Sequence, residues 1–119
     1  MTKIKTTLTY TRPSDDVPFY TPSAEAIAEV ARLDAAGHIQ RFANKSGIHA
    51  DDPLKMSFIT EFQSPQYYAD FQANQVILDE AGRRNAYNEE HGITKESSKI
   101  EYEEDDELDQ LYEQDPKAQ

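Results

Sequence analysis

The stretch Leu54-Lys-Met-Ser-Phe-Ile-Thr-Glu-Phe-Gln-Ser-Pro-Gln-Tyr-Tyr-Ala-Asp-Phe71 most narrows what this chain can become, because it reads as a strand that runs directly into a capped helix. Leu54, Met56, Phe58, Thr60 and Phe62 alternate with Lys55, Ser57, Ile59 and Glu61, so one face can be buried while the other is mixed. Ser64 then offers a side-chain oxygen to the unpaired amides of a first helical turn. Pro65, at the first helical position, gives up no N–H that the helix needs.

The remainder arranges itself around this unit. Residues 3–11 alternate Ile4, Thr6, Leu8 and Tyr10 with Lys5, Thr7, Thr9 and Thr11, a half-buried strand. Pro13, Ser14, Asp15, Asp16 and Pro18 end it in a loop, whose Phe19 and Tyr20 either pin it to the core or line a site. Thr21 or Ser23 can cap a helix from Ala24. Its Ala26, Val30 and Leu33 recur at helical spacing, with Ile27 beside them, and Gly37 suits the left-handed position that closes it. Residues 38–43 predict a second strand, and 44–53, with Gly47 and Asp51-Asp52-Pro53, the turn of a hairpin. The helix from Pro65 places Tyr67, Phe71, Leu78 and Ala81 near one stripe; Gly82 leaves open whether residues 83–91 continue it or form a second helix stopped by Gly92. Ser98, Ile100 and Tyr102 alternate in a last strand.

At 119 residues the chain holds one domain, yet 37% hydrophobic content and a mean hydropathy of −0.85 imply that part of it adds nothing to a core. That part is the end. Nine of the 23 acidic residues lie between Glu101 and Asp115, and with Lys117 the only later base this segment carries −8 of the net −11. The expected division is a body over 1–102 and an acidic tail over 103–119. The charge disfavours direct nucleic-acid binding, although Lys3, Lys5 and Lys99, or Arg83 with Arg84, form small basic clusters. There is no cysteine, hence no disulfide framework or thiolate nucleophile. No segment has the length of a membrane span and the N-terminus has no apolar signal core. The expectation is a cytoplasmic protein, or one assembled in a virion, without a membrane contact.

The element order strand, helix, strand, strand, helix, strand predicts an α+β fold, a ferredoxin-like βαββαβ sandwich with helices on one face of an antiparallel sheet. Over residues 3–102, and in the segment Met56–Phe71, the pattern resembles the dimeric α+β-barrel proteins, including the antibiotic-biosynthesis-monooxygenase-like group. The resemblance implies a homo-oligomer with two sheets packed together. Members that do chemistry often carry a histidine in the second helix; here that region has Gln72, Asn74 and Gln75.

Candidate sites are few. His38, His49 and His91 lack a partner at ligand spacing, so neither a metal nor a cofactor is expected. His38 follows a helix-ending glycine and His91 precedes one, places that favour a cation near a helix C-terminus. His49 with Asp51 and Asp52 is a solvated turn before it is a metal site. No phosphate-loop, dinucleotide or nucleophile-elbow motif occurs. Tyr10, His38, Phe58, Tyr67 and Phe71 are the candidates to line a pocket between sheet and helix. In the tail, Leu108, Leu111 and Tyr112 would meet on one helical turn amid Asp105, Asp106 and Glu107, an anchor for a protein partner with a basic-rimmed groove. The leading expectation is therefore a non-enzymatic interaction or assembly protein, such as a structural component of a phage virion. The alternatives are a small cofactor-independent monooxygenase-like enzyme with an aromatic pocket, and an acidic mimic of nucleic acid.

Overall fold

The computed structural model describes residues 2–41 and 46–103. The tail anchor of Leu108, Leu111 and Tyr112, with Asp105, Asp106 and Glu107, lies outside them. In order come β1 (Thr2–Thr11), α1 (Ala24–Ala35), β2 (Ile39–Arg41), β3 (Gly47–Ile48), β4 (Lys55–Phe62), α2 (Pro65–Ala73), α3 (Gln75–His91) and β5 (Thr94–Glu103). The sheet is antiparallel in the order β2-β4-β1-β5, with β3 also pairing β4. This is the α+β, ferredoxin-like arrangement.

Local chemistry explains most boundaries. Ser23 caps α1 by accepting from the Ala26 amide at 3.2 Å, and Ser64 caps α2 from the Tyr67 amide at 3.1 Å. Gly37, at φ 80°, turns the chain out of α1 so that its amide reaches the Asp34 carbonyl and the His38 amide the Leu33 carbonyl. Asp52 shapes the turn before β4, its Oδ1 accepting from the Leu54 amide.

Three elements differ from the sequence expectation. The expected turn over 44–53 contains β3, because Gly47 and Ile48 stand opposite Ser57 and Met56. The long helix from Pro65 is two helices, since Asn74 takes an extended backbone (φ −71°, ψ 122°) between them. Residues 83–91 thus belong to α3, which ends where Gly92 goes left-handed. The last strand begins at Thr94 rather than Ser98, because it pairs with β1 along its full length, from Thr2↔Glu103 to Thr11↔Thr94.

On the helix-bearing face, Ile4, Thr6, Leu8 and Tyr10 stand beside Phe62, Thr60, Phe58 and Met56. The packed core occupies one end of this face: Ile4, Leu33, Ile39 and Phe62 are buried, with Val30, Tyr68 and Phe71 against them. Phe62 meets Tyr68 and Phe71 edge-on, each at 5.1 Å between ring centroids. The second face is polar even where it is buried. Its Ile59 is fully buried, as is Ser57, whose hydroxyl joins His49 Nε2 at 2.6 Å and Thr9 Oγ1 at 2.8 Å. Nearby, the buried Glu61 accepts from the Tyr102 hydroxyl and from Gln63, and pairs with Lys3 at 3.5 Å.

Candidate functional site

Beyond that core, sheet and helices part to leave a cavity of about 570 Å³. This lies within the range of about 300–1,000 Å³ usual for small-molecule sites. Its floor is Thr6, Leu8 and Tyr10 of β1 with Phe58 and Thr60 of β4. Ala26, Ile27 and Val30 of α1, Phe71 and Gln72 of α2, and Ile77, Leu78 and Ala81 of α3 form the walls. Arg84, Asn85, Lys95 and Lys99 supply polar groups. The cavity explains why Ile27 and Leu78, whose spacing points them at the sheet, stay 57% and 48% exposed.

Of the five residues expected to line a pocket, Tyr10, Phe58 and Phe71 do so. Tyr10 and Phe58 meet edge-on at 6.1 Å. His38 and Tyr67 stand elsewhere, their rings stacked at 4.0 Å and 10°. The other histidines also lie away from the cavity. His91 packs on Tyr87 at 4.1 Å, and His49 is held by Ser57. Among the described residues, no three His, Asp or Glu side chains converge as for a metal.

The loop before α1 is fixed to the cavity's rim by paired groups. Arg12 donates to the Pro53 and Val17 carbonyls and lies over Phe19 at 4.5 Å. Tyr20 packs on Tyr87 and donates to Glu80 at 2.8 Å. Glu80 is itself a cavity residue, yet its oxygens are occupied by the Ser23 amide, the Tyr20 hydroxyl and Arg83. Burial pushes its carboxyl up, but those hydrogen bonds outweigh it and hold the group below its ordinary value.

Sequence reasoning missed Arg84 and Lys95. Arg84 was one of two adjacent arginines on a helix of undecided extent, and Lys95 lay outside the expected last strand. In the fold, Arg84 sits over the rings of Tyr10 and Tyr20, at 5.7 and 5.3 Å, and Lys95 stands directly across the ladder from Tyr10. Only the docking of α3 and the β1–β5 register bring the two to Tyr10.

No protein-family model matches the sequence, and no curated protein matches it. Solved structures do match in shape. A conserved protein of unknown function from Bacteroides thetaiotaomicron, described as a possible oxidoreductase, is 11% identical; the match covers 84% of this chain and 97% of that one, with a TM-score of 0.52. SnoaB, a cofactor-independent oxygenase from Streptomyces nogalater, is 13% identical over 89% of this chain and 96% of its own, TM-score 0.45. A dimeric ferredoxin-like protein from an uncultured marine organism is 7% identical over 86% and 96%, TM-score 0.48.

These neighbours correct the leading expectation. That expectation, a non-enzymatic assembly component such as a virion protein, does not stand. The neighbour from Bacteroides thetaiotaomicron is described as a possible oxidoreductase, and sheet and helices here leave a cavity of small-molecule size. Identities this low establish shape and leave chemistry to the site. At the level of fold, the chain is ferredoxin-like α+β.

Proposed function

We propose that this chain is a small oxidoreductase of the cofactor-independent oxygenase kind, taking an apolar, aromatic substrate into the cavity between sheet and helices. The observation that supports it is the cavity itself: about 570 Å³, bounded by Leu8, Tyr10, Phe58, Tyr68 and Phe71. Such rings offer faces and edges to a flat conjugated body, each favourable aromatic pair adding roughly 0.5–1.5 kcal/mol beyond area burial. An electron-rich fused ring with an acidic methylene (CH2) conjugated to a carbonyl can react with dioxygen directly, the methylene losing both hydrogens. One oxygen atom becomes a new carbonyl and the other leaves as water, so the substrate supplies all the electrons. The protein's part is to hold the ring, exclude water and shelter the deprotonated form.

The test is oxygen uptake, with product mass, for a panel of anthrones in the presence of the protein and of Leu8→Trp, which fills the cavity floor. Uptake above the protein-free rate that Leu8→Trp abolishes is the expected result. Rates equal to the protein-free control across the panel would sink the proposal. Self-association belongs to the same reading: the described helices serve the cavity face, leaving Thr7, Thr9 and Ile100 on the other. Light scattering on the full chain should give the mass of a homo-oligomer, and a monomer would remove that part.

A further inference from the structure

The cavity is apolar along its walls but not neutral, and one polar group in it stands alone. Tyr10 is 4% exposed and lines the cavity, and among the described residues its hydroxyl has no hydrogen-bond partner. Leaving a buried hydroxyl unpaired is costly unless a ligand or water completes it. Two cations flank the same residue. Arg84 lies over its ring and Lys95 faces it across the ladder. Among the described residues, neither is paired with a carboxylate. The nearby carboxylate of Glu80 is taken up by Ser23, Tyr20 and Arg83, and the cavity's third cation, Lys99, pairs with Glu101 at 3.8 Å. In a chain of net charge −11, two cations without a carboxylate partner among the described residues, beside a buried phenol unpaired among them, form a local anion-attracting corner.

We infer that the cavity takes an amphipathic oxyanion: a flat apolar body with one carboxylate or comparably acidic oxygen seated on Tyr10 and Arg84, with Lys95 beside them. The geometry assigns the parts. The aromatic wall receives the body, the Tyr10 hydroxyl donates one hydrogen bond, and the guanidinium, already oriented by two tyrosine rings, provides charge-assisted donors. The inference rests on the cavity being the functional site, and it adds the charge of the ligand to that reading.

A matched pair of probes tests it: 2-naphthoate and its neutral isostere 2-naphthamide, titrated into the full chain by calorimetry at neutral pH. Naphthoate should bind at least about 10-fold more tightly than the amide, the scale of one charge-assisted hydrogen bond. Its affinity should weaken as salt rises from about 50 to about 500 mM, with the amide unaffected. Arg84→Gln should remove most of the preference and Tyr10→Phe a smaller part. Equal binding of the two probes with equal salt response overturns the oxyanion inference and leaves the cavity reading standing. Failure of both probes to bind overturns the two together. The salt comparison on the unaltered chain decides the matter even if a variant fails to fold.

Discussion

Glu29 illustrates how this chain uses single charged residues to hold its helices. It accepts from Arg32 at 2.6 and 2.8 Å and from Asn74 Nδ2 at 2.6 Å, linking α1 to the junction of α2 and α3. The Arg32 bond first, and the Asn74 bond after it, lower its pKa to about 2 from 4.5. A folded pKa below the unfolded one means that the unfolded chain binds more protons as the pH drops. The stabilisation is therefore fully present above pH 4.5 and lost as the pH falls toward 2. Thermal midpoints measured across that window should decline for the unaltered chain and decline less for Glu29→Gln. Parallel declines would show that Glu29 does not carry the effect. Glu80, lowered in the same direction, contributes to the residual slope.

Among elements, the break at Asn74 shapes the site most. Its amide closes α2 on the Phe71 carbonyl, its Oδ1 caps α3 from the Val76 and Ile77 amides at 3.0 and 3.3 Å, and its Nδ2 holds Glu29. Without the break, the stripe of Tyr67, Phe71, Leu78 and Ala81 would lie along one straight rod. With it, α3 is re-aimed, so that Leu78, Ala81 and Arg84 face the cavity. Asn74→Ala should cost about 1–2 kcal/mol in urea unfolding, the usual loss for an N-cap. Asn74→Asp separates the two roles. Aspartate is as good a cap, but here it loses the donor and sets a like charge against Glu29, so it too should destabilise; full stability in that variant would show that the cap alone matters. The sequence concealed the break because a lone asparagine in a polar run, Gln72-Ala-Asn-Gln75, is compatible with a continuous helix. Ser64 and Ser23 were legible as caps because a proline or an apolar period follows each of them.

At the scale of the molecule, a packed end and an open end share one face of the sheet. Phe62 joins the two, 2% exposed, edge-on to both Tyr68 and Phe71, and with them also a lining residue of the cavity. Phe62→Ala should therefore cost about 3–5 kcal/mol of stability. Because Tyr68 and Phe71 would lose the ring they lean on, probe binding should weaken as well. Denaturant midpoints and naphthoate titration check both effects, and unchanged binding in a folded variant would show that Phe62 does not shape the cavity.

The sequence by itself determined the fold class and most of its faces. Period-two alternation in Ile4–Tyr10 and Met56–Phe62, with serine caps and a closing Gly37, are local properties that each segment expresses alone. It also marked Tyr10, Phe58 and Phe71, because aromatic side chains on the inward face of a strand or helix meet whatever space lies there. The tertiary structure alone decided that this space stays open, and what stands in it. Arg84 and Lys95 reach Tyr10 only through the docking of α3 and the register of β5 against β1. Register joins residues distant in the chain, and no local periodicity records which cation will come to face which phenol.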